Sequence, residues 1–204
     1  MRSALRHHAL ARLCVQAYGR ATHSVNEVEA LVEDRVTETW IAFRGTERIG
    51  KSWRNWLDWL RDVRILPWRS RFGWSHAGMW KGAREWCEAH ELDMSKPIRL
   101  TGHSLGAGVA VHAAMILSSQ GYHVAELVTF GEPRSLFGSA RKTLRGMSLS
   151  MTSYRLNGDL VTRLPPWGSQ CVKQTPLKLY SAKGMESHQM VNYAAALTMG
   201  CVNG

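Results

Sequence analysis

Ile98-Arg99-Leu100-Thr101-Gly102-His103-Ser104-Leu105-Gly106-Ala107-Gly108 is the stretch on which the reading of this chain turns. A short apolar run over 97–101 reads as a buried strand. Leu105–Ser119 follows as a helix of small and apolar residues, stopped by Gly121. Between them, Gly102, Ser104 and Gly106 stand in a G-x-S-x-G spacing, which makes a sharp strand-to-helix turn and lifts the serine hydroxyl clear of the sheet. The two glycines let strand and helix pack closely. The helix amino terminus supplies partial positive charge where an oxyanion would develop. A plain Gly/Ser turn has the same spacing, so the residues downstream must decide between the two readings.

Downstream of Ser104 the order of residue types is informative. Asp159 is the one aspartate there, and His188 the one histidine beyond it. A serine is a weak nucleophile at neutral pH until a base takes its proton, and that base needs a carboxylate to fix its tautomer. Asp159 follows a strand at 153–156 through Asn157-Gly158, which places it in a loop at a strand's carboxyl end, where open α/β sheets gather their functional groups. Glu132, after the strand at 124–130, is the alternative acid. Taken singly, Asp159 also reads as a turn-capping residue and His188 as the start of the last helix; the ordered set of three points to Ser104, His188 and Asp159 as a catalytic triad. The backbone N–H of Leu105 is one expected oxyanion donor. Thr46, ending Phe43-Arg44-Gly45-Thr46 after an early strand, is expected to supply the second.

The flanking chain reads as alternating strands and helices. Helices are expected over 1–18, 77–90 and 189–198. Strands are expected over 27–32, 36–43, 97–101, 124–130 and 153–156, with an outer one over 177–182. This alternation predicts a single α/β domain over 1–204 with a mostly parallel central sheet flanked by helices. With 204 residues, 45% hydrophobic and 21% charged, the composition excludes wholesale disorder and a fibrous chain. No run approaches the roughly 18 apolar residues of a membrane span. His7, His8 and Arg12 interrupt what would be the apolar region of a secretion signal. The expectation is therefore a chain cytoplasmic at synthesis, with peripheral membrane association or release by a non-Sec route. Cys14, Cys87, Cys171 and Cys201 form no CxxC pair and read as reduced thiols. The histidines are scattered, so neither metal nor cofactor is called for.

Several blocks, in order, make the chain resemble the class 3 lipases, the family of the filamentous-fungal triacylglycerol lipases. They are Trp40–Thr46, Arg54–Leu60, His76–Met79, Thr101–Gly106, Val128–Arg134, the stretch around Asp159, and His188–Tyr193. The resemblance implies an α/β-hydrolase fold, a short Trp-rich helical lid, and hydrolysis of lipid carboxylic esters through an acyl-enzyme on Ser104. Ala107 stands where many relatives have glycine, and the chain is shorter than the fungal enzymes.

The segment expected to carry the lid, about 47–75, is rich in Trp and Arg and shows no clear strand. In a helical reading Trp53, Trp56, Leu57 and Leu60 share one apolar face, which Trp59 interrupts. From Arg44 to Arg71 eight basic residues face three acidic ones, within a chain of net charge +10. A basic, Trp-bearing amphipathic helix suits a lid that opens at an anionic lipid surface; a core helix with a charged outer face is the plainer reading. Triacylglycerol lipase and phospholipase A1 acting at anionic membranes both fit these residues. The contrasting class, a basic membrane- or nucleic-acid-binding module, lacks any recognised nucleic-acid motif, so no nucleic-acid partner is expected. The expected partner is a lipid or other ester substrate, met at a lipid surface. Nothing in the sequence bears on the oligomeric state.

Overall fold

The apolar and β-branched runs of the sequence pair into one central sheet, and the helices between them cover its two faces. The computed structural model describes residues 2–45, 67–179, 182 and 184–202. In chain order these residues form α1 (Arg2–Arg20), β1 (His23–Val25), β2 (Val28–Asp34), β3 (Thr39–Phe43), β4 (Pro67–Ser70), β5 (Gly73–His76), α2 (Ala77–Ala89), β6 (Ile98–His103), α3 (Leu105–Ser119), β7 (Val124–Phe130), α4 (Gly138–Arg145), β8 (Ser150–Leu156), β9 (Thr175–Leu177) and α5 (Met190–Val202).

Strand order in the sheet is β1-β2-β3-β6-β7-β8-β9. From β3 onward every neighbouring pair is parallel, while β1 and β2 add an antiparallel edge. Parallel strands are buried on both faces and so read as continuous apolar runs. Here Ile41, Phe43, Leu100 and Leu127 pack with α3 and Trp86 of α2 on one side. Ala42, Val128, Phe130 and Leu156 pack with α1 and α5 on the other. α3 is buried all round from Gly106 to Leu117, which explains its lack of a polar face. Cys14, Cys87 and Cys171 are buried free thiols.

The departures from expectation are local. The α1 core stripe is Leu10, Leu13, Cys14 and Ala17, at i, i+3, i+4 and i+7, whereas Leu5 is 57% exposed. β3 begins at Thr39 and not at Val36, which is 94% exposed in a turn closed by the Arg35 N–H on the Glu38 carbonyl. The outer strand β9 runs over Thr175–Leu177 and meets the expected 177–182 only at Leu177; 180 and 181 lie outside the described residues.

The segment expected to be a helical lid without strands is corrected at its carboxyl end, where β4 and β5 form an antiparallel hairpin. Ser70 Oγ there accepts the Phe72 N–H and donates to the Gly73 carbonyl, both at 3.1 Å. Gly73 takes φ +117°, a value that an L side chain disfavours. The rest of the expected lid, with Trp53, Trp56, Leu57, Trp59 and Leu60, lies outside the described residues, as does Thr46.

Candidate active site

The sharp turn expected at Ser104 is present and strained. Ser104 has φ 57° and ψ −126°, uncommon for a residue with a side chain. The turn is pinned by the Ser104 N–H on the Phe130 carbonyl at 3.0 Å. The flanking glycines are required by close approach. A Cβ on Gly102 would run into the Gly106 carbonyl, and one on Gly106 would run into the carbonyls of Phe43 and Arg44 at the end of β3. β3, β6 and α3 therefore meet backbone to backbone beneath the serine. Leu105 is the first residue of α3, so its N–H has no carbonyl four residues back to bond within the helix.

Two loops from distant parts of the chain converge on this serine. His188 closes a 3-10 turn, Gly184–His188, just before α5. Its Nε2 lies 2.8 Å from Ser104 Oγ, and its Nδ1 lies 2.8 Å from Asp159 Oδ2. A carboxylate only accepts, so Nδ1 carries the proton and Nε2 is free to accept from the serine hydroxyl. Ser104, His188 and Asp159 are all buried.

Asp159 is held by three donors. Besides His188, Tyr193 Oη donates to Oδ2 at 2.5 Å and the Val161 N–H donates to Oδ1 at 2.9 Å. Burial pushes this carboxyl up, but the charge and hydrogen bond of His188 and the Tyr193 hydroxyl outweigh it and hold it below the ordinary carboxylate range. Burial and the neighbouring Asp159 raise the Tyr193 phenol well above its usual value, so it stays a donor.

Reading the sequence for nucleophile, base and acid leaves out a second chain of contacts. His103, beside the nucleophile, has Nε2 2.7 Å from the His188 carbonyl and Nδ1 2.6 Å from Tyr18 Oη. A carbonyl cannot donate, so Nε2–H donates to His188 and Nδ1 accepts from Tyr18. Burial first, and then the charge of His188, lowers the His103 pKa to about 3, so this ring stays neutral and keeps that tautomer. Tyr18 on α1 and His103 on β6 thus fix the backbone of the residue that carries the base. The available signal is the place of His103, His188 and Tyr193 in motif blocks; Tyr18 gives none, because its partner is set by tertiary contact.

Glu132, the alternative acid, does not reach His188. It is buried and accepts from Thr129 Oγ1 at 2.8 Å, Ser153 Oγ at 3.0 Å, and the Cys171 N–H and Sγ at 2.7 and 3.0 Å. Burial raises its pKa against those hydrogen bonds. Its place is to tie the chain around Cys171 to the sheet.

The arrangement suits attack by a hydroxyl on an acyl carbon, with the proton passed to an oriented imidazole. The family model described as Lipase (class 3) matches residues 20–169. No curated protein matches the chain by sequence. The fold is similar to that of the Rhizomucor miehei triacylglyceride lipase, at 17% identity and a TM-score of 0.68, over 87% of this chain and 80% of that one. It is also similar to the Lip2 lipase of Yarrowia lipolytica, at 17% identity and a TM-score of 0.66, over 87% and 79% of the two chains. A triacylglycerol lipase whose catalytic centre is formed by a serine protease triad matches at 18% identity and a TM-score of 0.67, over 87% and 80%.

Proposed function

The chain belongs to the class 3 lipase family, and on that premise we propose that Ser104, His188 and Asp159 hydrolyse lipid carboxylic esters at a lipid surface. The observation that carries this reading is the unbroken relay from Ser104 Oγ through the two ring nitrogens of His188 to Asp159, with both contacts at 2.8 Å. Ser104 Oγ attacks the ester carbonyl carbon while His188 Nε2 takes its proton. The carbonyl oxygen becomes an oxyanion facing the Leu105 N–H, with Thr46 as the expected second donor. Collapse breaks the bond to the alcohol oxygen, which leaves with the proton from His188. Water then attacks the acyl-enzyme, gives its proton to the same nitrogen, and releases the fatty acid as Ser104 regains its hydrogen. Asp159 remains ionised throughout and stabilises the imidazolium.

Two surface features favour lipid over a small soluble ester. A groove of about 560 Å³ takes in Leu105, the residue after Ser104, with Val28, Met79 and Val109 on its wall beside the charged Glu27, Lys81 and Glu85; its apolar side chains suit an acyl chain. Trp68, Trp74 and Trp167 are 55%, 45% and 61% exposed, an amphipathic ring set suited to the water–lipid boundary.

The test is a p-nitrophenyl ester series from acetate to palmitate, with wild type and Ser104→Ala. Hydrolysis that vanishes in the variant and favours long chains is expected. No turnover of any ester, with or without vesicles, would leave the relay without this function. Triolein emulsions against phosphatidylglycerol vesicles then separate a triacylglycerol lipase from a phospholipase A1.

A further inference from the structure

A pocket of about 450 Å³ lies between the loop after β7, α4, β8 and the chain leading into β9, lined by Arg134, Arg141, Arg155, Arg163 and Lys173. Gln170 and Gln174 lie on its wall, and none of the pocket's lining residues is acidic. Arg134, Arg141 and Arg155 are half-buried, and none of the five cations forms an ion pair among the described residues.

Half-buried guanidinium groups are ordinarily paired, because removing a charge from water without a counter-charge is costly. Here the Nε atoms of Arg141 and Arg155 are buried without a hydrogen-bond partner. Arg134 is anchored, its Nη1 donating to the Pro166 carbonyl at 2.9 Å, which leaves its other N–H groups for a ligand. Gln170 and Gln174 are also tied down, donating to the Thr162 carbonyl and to the Glu132 carbonyl and Ser153 Oγ. Glu132 does not line the pocket and forms no ion pair with these cations among the described residues; its oxygens accept from Thr129, Ser153 and Cys171 instead. The pocket therefore gathers five cations, unpartnered guanidinium nitrogens at Arg141 and Arg155, and a mutual repulsion that an anion would relieve.

We propose that this pocket binds a phosphate group. Forked guanidinium donors match the tetrahedral oxygens of a phosphate, and several together offer bidentate contacts. The pocket also lies at the triad's end of the sheet. Arg163 ends the 3-10 turn Val161–Arg163, whose first N–H donates to Asp159 Oδ1. Next to it, an apolar groove is lined by Trp74, Phe137 and Trp167, the last adjoining the Pro166 that anchors Arg134. Exposed tryptophan beside clustered arginine is the composition that meets a phospholipid surface, with rings at the boundary and guanidinium groups on phosphates. A lipid headgroup and a free phosphate share the recognised chemistry, and the experiment separates them.

The full chain carrying Ser104→Ala serves as the scaffold, so that vesicle lipid is not consumed and the result stands apart from whether the triad hydrolyses esters. In one arm, inorganic phosphate and pyrophosphate are titrated calorimetrically at constant ionic strength. In the other, co-sedimentation is measured with phosphatidylcholine vesicles with and without phosphatidic acid. Arg141→Gln/Arg155→Gln is expected to weaken binding by at least about tenfold, the loss of one good charge-assisted contact. Arg163→Gln, a change at an exposed side chain that leaves the core intact, should weaken it less. Loss in the vesicle arm assigns a lipid headgroup; loss in the phosphate arm alone assigns a free anion. Equal behaviour of scaffold and variants in both arms overturns the proposal.

Discussion

The two ends of the parallel sheet use the same residue types in opposite ways. At the amino end, Arg6 Nε and Arg99 Nη1 meet Glu126 Oε2 at 2.7 and 2.8 Å, and Arg99 Nε meets Glu38 at 2.6 Å. His7 Nε2 lies 3.1 Å from Glu126, and its Nδ1 lies 2.8 Å from Tyr154 Oη. Each of these groups has a partner in the chain. At the carboxyl end a serine is held at positive φ, a histidine nitrogen faces its hydroxyl, and five cations line a pocket without an acid. Groups that satisfy one another hold a fold together. Groups left strained or unpaired are poised for something outside the chain, as expected at the carboxyl ends of an open α/β sheet.

The sharpest way to break this contrast is to remove groups at each end and ask what is lost. Ser104→Ala should lower kcat by about a million-fold with the melting temperature little changed. Asp159→Asn should lower it by about 10⁴-fold, because an amide in place of the carboxylate favours the wrong tautomer of His188. Ester hydrolysis and thermal melts check both. Glu126→Ala should do the reverse, costing about 1.5–3 kcal/mol of stability by removing the partner of Arg6 and one of the two carboxylates that Arg99 meets, with kcat retained in whatever remains folded. Denaturant titration measures that loss; a stable Glu126→Ala protein would remove the distinction between the two ends.

Acid sharpens the comparison further. Burial pushes the Glu126 carboxyl up, yet hydrogen bonds from His7 and Arg6, and their charge, bring it down to about 2 from an ordinary 4.5. A carboxyl depressed on folding stabilises the protein above its unfolded pKa, and that contribution disappears as pH falls through the folded value. Stability from this cluster, in which Arg99 bridges Glu126 and Glu38, should therefore be lost between about pH 4.5 and pH 2. Asp159 is depressed too and acts in the same direction, so the readout is the difference between wild type and Glu126→Gln. Denaturant midpoints across this range should converge for the two proteins as pH falls. Parallel curves would show that the amino-end network does not carry the acid sensitivity.

What could be read in the sequence was whatever local chemistry dictates. The turn at Ser104 is written in its glycines, α3 and β7 have the expected bounds because their apolar runs end at Gly121 and Gly131, and the order of Asp159 and His188 follows from topology. The hairpin β4–β5 was not legible, since Trp68 and Trp74 are exposed and its residues show no alternation of buried and polar positions. α4 was missed because eight residues with two buried side chains make little periodic signal. The arginine pocket assembles positions 134, 141, 155, 163 and 173, which no local window brings together. Glu126 gave no sign of its role for the same reason, its partner Arg6 being 120 positions away.

The smallest expected effects come from two tyrosines that pack on the same ring. Phe130 stacks with Tyr154 at 5.7 Å and meets Tyr193 edge-on at 6.0 Å. Replacing either tyrosine by Phe keeps that packing and removes one hydroxyl. Tyr193 Oη donates to Asp159 and accepts the Leu156 N–H at 3.1 Å, so Tyr193→Phe loosens the carboxylate that holds His188. A charge-assisted bond of this kind corresponds to about 1.5 kcal/mol, so kcat should fall roughly tenfold with KM little moved. Tyr154 Oη instead reaches His7 in the amino-end network, so Tyr154→Phe should cost about 1 kcal/mol of stability and leave kcat alone. Comparing kcat with unfolding free energy for the two variants separates the roles of hydroxyls that share a packing partner. If both variants lose kcat alike, Phe130 couples the two ends, and the division between a self-satisfied end and a poised one does not hold.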